Sequence, residues 1–168
     1  LAALAISIAT GASMAVFADA SWPLLLIPVV LFLRMALNAI DGMLAREHAM
    51  QSPLGAILNE LGDVISDAAL YLPFCWVGGL SPLLVISVVM VSIIAEMAGV
   101  VAIQVGASRR YDGPLGKSDR AFAFGLLALL IGAGIDPAFW ANGLLGVMAL
   151  LAAMTVINRA RQALLEVA

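Results

Sequence analysis

Six apolar stretches follow one another with only short polar breaks between them, and each approaches the roughly 20 residues that cross a bilayer as a helix. They cover about 1–18, 23–46, 53–75, 82–106, 119–135 and 138–158. Inside lipid every backbone N–H and C=O needs a partner within the protein, so stretches of this length are read as helices. The expected fold is all-α: a polytopic membrane protein of six transmembrane helices, forming one domain over 1–168. No repeat, low-complexity tract or linker divides it. Composition agrees, with 11% charged residues and a mean hydropathy of +1.10, against about 25% charged in soluble domains. Because the chain is already apolar at Leu1, a cytosolic segment is expected to precede it. Cys75 and His48 each stand alone, which excludes an internal disulfide and a zinc centre. No nucleic-acid partner is expected.

The basic residues give the orientation. Arg46, Arg109, Arg110, Lys117, Arg120, Arg159 and Arg161 fall at one set of alternate ends, while the opposite loops carry no Lys or Arg. Those opposite loops hold Trp22, Trp76 and Trp140, as an interfacial belt would. The cation-rich ends are therefore expected in the cytoplasm, together with both termini. Arg34 is the exception, about 18 Å into its segment at 1.5 Å per residue. A guanidinium at that depth calls for a carboxylate partner, and Asp67 and Glu96 lie at comparable depth.

Residues 38–67, NAIDGMLAREHAMQSPLGAILNELGDVISD, concentrate the chemistry. Asn38, Asp41 and Ala45 share one face of a helix. After a polar turn near Glu47 to Pro53, Gly55, Asn59, Asp63 and Asp67 form a stripe at four-residue steps. A short turn lets the two faces meet. Carboxylates in an apolar segment are costly and generally face a cavity. Three carboxylates and two carboxamides converging there suit a hard cation such as Mg²⁺ or Mn²⁺. The alternative is a structural polar patch joining two helices.

The spacing Asn38-x2-Asp41-Gly42-x2-Ala45-Arg46-x8-Gly55-x3-Asn59-x3-Asp63 resembles the signature of the CDP-alcohol phosphotransferases, D-x2-D-G-x2-A-R-x8-G-x3-D-x3-D. Every gap agrees, and the fixed positions differ only at Asn38 and Asn59, where the family has aspartates. The resemblance implies an integral membrane enzyme of phospholipid synthesis. It would move a phosphatidyl group from a CDP-linked lipid such as CDP-diacylglycerol to a small alcohol and release CMP. Carried over position by position, Asp41, Asp63, Asn38 and Asn59 are metal positions, and Asp63 is also the general base. Asp41, Gly42, Ala45, Arg46 and Gly55 would contact the CDP part. The implied cofactor is Mg²⁺ or Mn²⁺, and the setting is the bacterial inner membrane with the site facing the cytoplasm. A homodimer is the candidate assembly.

The loop from Ser108 to Arg120 is the second informative stretch. Gly116-Lys117 before a helix, and arginines after the fourth segment, are similar to family features that hold the acceptor's phosphate. Arg109, Arg110 and Lys117 are the residues concerned, with glycerol 3-phosphate as the first acceptor to test. Topology alone would also explain these cations, and it is the expected explanation for Arg159 and Arg161. Two other functions remain open at this stage: an inactive family member serving as a membrane scaffold, and a cation or proton transporter. The isolated outer-loop acids Asp19 and Asp136 offer the latter no vestibule.

Overall fold

The computed structural model describes residues 1–47 and 52–168, except the side chains of Ala45 and Arg46. Within them the chain is helical: α1 (Ala2–Val16), α2 (Trp22–Glu47), α3 (Pro53–Tyr71), α4 (Pro82–Val101), α5 (Lys117–Gly132) and α6 (Ala141–Val167). Short 3-10 turns extend α3 over Leu72–Trp76 and α4 over Ala102–Val105. Six helices match the six expected segments, and the main departure is α6, which continues to Val167. Trp22–Leu44, Pro82–Val105 and Ala141–Val167 are long and apolar enough to span a bilayer. The protein is a polytopic membrane protein of all-α class.

Local chemistry sets the helix boundaries. Ser52 caps α3, its hydroxyl accepting from the Gly55 amide at 3.0 Å, and Pro53 occupies the first turn, where its missing N–H costs nothing. Ser81 and Pro82 begin α4 in the same way. The 3-10 turn after α4 ends at Gly106, whose φ of +92° is a left-handed conformation that side chains resist.

α1 packs on α2 and α3, α2 on α5, and α4 on α6. The α2–α3 pair is antiparallel, because Asn38 meets Asp63 while Arg34 meets Asp67: four residues back on one helix answer four residues on along the other. Gly11 allows α1 to lie against α3, since a Cβ there would run into the Ala69 carbonyl.

The two ends of the bundle differ. The end formed by the start of α2, the end of α3 and the starts of α4 and α6 is a packed apolar core with Ile27, Leu70, Val85 and Leu145. Tyr71 stacks on Phe124 there, with centroids 4.1 Å apart. The opposite end holds the polar residues around a cavity. Large apolar side chains face outward, as with Phe32 at 71% and Leu83 at 73% exposed, which fits a lipid solvent rather than water.

Candidate active site

The polar end encloses an open cavity of about 1000 Å³. Asn38, Asp41, Gly42, Gly55, Asn59 and Asp63 all line it. The helical stripes read from the sequence thus converge, because α2 and α3 are antiparallel and the stripes face inward from both. The side chains of Ala45 and Arg46, and residues 48–51, lie outside what the structure describes.

Asp63 is held from several sides. Its Oδ1 accepts from Asn38 Nδ2 at 2.7 Å, and Lys117 pairs with its Oδ2. Arg34 adds a third donor, reaching the Asp63 backbone carbonyl at 3.0 Å and lying 3.6 Å from Oδ1. Lys117 arrives there because Gly116 caps α5. The Asp119 carboxylate reaches back to the Gly116 N–H at 2.8 Å, fixing the first turn on which Lys117 stands.

Deeper in, charges from five helices interlock. Arg34 pairs with Asp67 at 2.5 Å, the carboxylate partner its depth required. Arg120, 1% exposed, joins Asp67 at 3.2 Å and Glu96 at 2.9 Å. Arg159, 2% exposed, reaches Glu96 at 3.2 Å and the Ala95 carbonyl at 2.6 Å. The topological explanation for Arg159 therefore fails: the side chain is buried. A signal was present in the sequence, since Met148, Ala152, Thr155, Arg159 and Ala163 form one helical stripe and all are buried. Arg120 stands likewise beside Ala121 and Phe124 on the buried face of α5.

The loop 107–116 contributes Arg109, Tyr111 and Gly116 to the cavity wall. The Arg110 amide donates to the Gly99 carbonyl at 3.1 Å, and a Cβ on Gly99 would approach the Arg110 carbonyl to 2.5 Å. Arg109 turns into the cavity and meets Glu60 through two bonds of 2.6 Å. Burial opposes its charge, but the hydrogen bonds and charge of Glu60 outweigh this and hold the guanidinium above its ordinary pKa. Arg110 turns away, to Asp112 at 2.8 Å and Glu166 at 2.6 Å. Of the three cations expected to hold an acceptor phosphate, Arg109 and Lys117 line the cavity and Arg110 does not.

The residue types fit one hard cation. Asp41 and Asp63 supply charge, and the amides of Asn38 and Asn59 supply neutral oxygen donors. Among the described residues no group of three or more acidic, His or Cys side chains gathers, so the amides of Asn38 and Asn59 would have to complete the ligand set.

Asn38, Asp41, Gly42, Gly55, Asn59 and Asp63 lie on two facing helices around one cavity, and the family model for CDP-alcohol phosphatidyltransferases matches residues 1–161. The chain belongs to the CDP-alcohol phosphatidyltransferase family. Within it, inner membrane protein YnbA of Escherichia coli (strain K12) is 48% identical over 167 residues, which is 98% of this chain and 82% of that protein. The archaetidylinositol phosphate synthase of Aeropyrum pernix is 31% identical over 131 residues, 78% of this chain and 66% of that protein. No solved structure matches it significantly. As a family member this transferase belongs to a group that generally depends on a divalent metal.

Proposed function

We propose that this transferase moves the phosphatidyl group of a CDP-linked lipid, such as CDP-diacylglycerol, to a small alcohol and releases CMP. The observation that carries this is the convergence of Asp41, Gly42, Gly55 and Asp63 on one cavity between α2 and α3. The cavity is open, as a substrate with acyl chains outside and a nucleotide inside requires. The proposed location is the bacterial inner membrane, in keeping with the name of the Escherichia coli relative. The cation-rich ends, and hence the cavity mouth, face the cytoplasm.

In the proposed mechanism Gly42 and Gly55 give the cytidine and pyrophosphate close approach to the helix backbones, together with Ala45 and Arg46. Asp41 and Asp63, helped by the amide oxygens of Asn38 and Asn59, would hold one Mg²⁺ or Mn²⁺. Such an ion offsets pyrophosphate charge and the charge that grows on the transferring phosphoryl group. Asp63 takes the proton of the acceptor hydroxyl as that oxygen attacks phosphorus. Asn38 and Lys117 orient the Asp63 carboxylate for this step. Glycerol 3-phosphate, the acceptor suggested by the basic loop, would need the pairs made by Arg109 and Lys117 to open.

The test is CMP release from CDP-diacylglycerol in liposomes containing the purified protein, Mg²⁺ and a panel of alcohols. Release that depends on an alcohol and vanishes in Asp63→Asn is expected. Absence of release with every alcohol favours the scaffold, a reading to which Asn38 and Asn59 lend some weight.

A further inference from the structure

Glu60 follows Asn59 in the chain, about 100° round α3 from it, and belongs to no position of the signature. Its carboxylate takes Arg109 side-on, with Nε on Oε1 and Nη2 on Oε2, each at 2.6 Å. Nη2 also donates to Glu96 at 3.3 Å, and Nη1 to the Arg110 carbonyl at 3.0 Å. Four of the five guanidinium N–H groups are thereby used, and Tyr111 covers one face with its centroid 4.3 Å from Cζ. The other loop cations are also engaged: Lys117 by Asp63, and Arg110 by Asp112 and Glu166 outside the cavity wall. Arg120 and Arg159 are held by Asp67 and Glu96. Among the described wall residues carboxylates outnumber cations. A phosphate on the acceptor would have to break a fork-to-fork pair, and would then lie beside the released Glu60 carboxylate.

We infer that Glu60 sets the acceptor class: by holding Arg109 it closes this part of the cavity to phosphorylated alcohols, so the acceptor is an alcohol without a phosphate. This rests on the transferase reading for the word acceptor, but the exclusion of phosphate stands on the pair itself. Glu60 is a specificity determinant that acts through Arg109 and touches no reacting atom.

Binding of glycerol 3-phosphate to the purified protein in detergent tests it by calorimetry, without any lipid donor. In the wild type, Arg109→Gln should leave whatever affinity exists unchanged. Glu60→Gln keeps the shape but removes the charge, and should bind glycerol 3-phosphate at least about tenfold more tightly. That gain should disappear in the Glu60→Gln/Arg109→Gln double variant, and Glu60→Asp should behave as wild type. The inference is overturned if Arg109→Gln weakens binding to the wild type severalfold, or if Glu60→Gln gains nothing. Should Glu60→Gln not fold, the wild type and Arg109→Gln alone still decide. In the liposome assay, CMP release should be faster with glycerol than with glycerol 3-phosphate, and the reverse preference also overturns the inference. No release with either alcohol counts against the transferase reading alone, and the calorimetry is unaffected.

Discussion

Arg34 Nη1 lies 2.5 Å from Asp67 Oδ1, an ion pair between the second and third helices at a level where neither charge could stand alone. The same guanidinium reaches the Asp63 backbone carbonyl through Nη2. One side chain thus fixes both the depth and the rotation of α3 relative to α2. The proposed general base is positioned from behind by a residue outside the signature.

Replacing Arg34 by Met should therefore leave Asp67 with Arg120 alone and remove a donor behind Asp63. Breaking one partner out of a buried pair costs about 3–5 kcal/mol, and the surviving Arg120 contact places this loss near the lower figure. Thermal unfolding in detergent checks it, with an unchanged midpoint counting against the role. Arg34→Lys should rescue only in part, because an ammonium lacks the planar fork that serves two acceptors.

Asp63→Asn should lower CMP release by at least about 100-fold, the lower end of what a positioned acid or base contributes, and Asp41→Asn should lower it by removing a charged ligand of the ion. Asp41→Asn, at an exposed position, should keep the wild-type stability to within about 1 kcal/mol, whereas Asp63→Asn gives up the charge that pairs with Lys117 and Arg34 and should lose more. Turnover near wild type in either variant would remove that residue from the mechanism.

The asparagines give a prediction particular to this chain. An Asp at 38 would meet Asp63 Oδ1 across the 2.7 Å now bridged by an amide N–H, so like charges would face each other unless a cation came between. Asn38→Asp should lower the unfolding midpoint without metal and recover with Mn²⁺ by more than the wild type does. Lys117 already offsets the charge of Asp63, so the wild-type site has negative charge for no more than one ion. Titration of the metal-free protein should thus find one Mn²⁺ per chain in the wild type and two in Asn38→Asp/Asn59→Asp. Two ions in the wild type, or no gain in the double variant, would refute this.

Gly99→Ala should loosen the loop 107–116. Its Cβ would press on the Arg110 carbonyl and come within 3.0 Å of Arg109 Nη1. Overpacking of this kind costs about 1–3 kcal/mol. Proteolysis within 107–116 should accelerate, and an unaltered cleavage rate would show that the loop does not depend on this contact.

Much of this arrangement was legible in the residues because the signals were local. Four-residue steps brought Gly55, Asn59, Asp63 and Asp67 onto one stripe, a polar turn separated the second and third segments, and the depth of Arg34 demanded an acid. What sequence could not supply was pairing between distant segments. Arg159 looked like a terminal topological charge because its partners, Glu96 and the Ala95 carbonyl, lie more than 60 positions away. Arg109 looked available for phosphate because nothing in its own loop reveals that Glu60 reaches it. Periodicity reports the face on which a side chain lies, not which helix will meet that face.

The distribution of ion pairs also bears on the order in which the chain can be assembled during synthesis. Arg34 and Asp67 come from neighbouring helices, so the first half of the bundle can neutralise them as a hairpin on entry to the membrane. Glu96 has no such local partner: its cations are Arg109, Arg120 and Arg159, supplied by the following loop, α5 and α6. The fourth helix thus carries an acid whose cations arrive one after another with the segments that follow it, the last of them with α6. Truncation before α6 would strand Glu96 with an incomplete set of cations, giving quality-control proteases a reason to recognise the fragment.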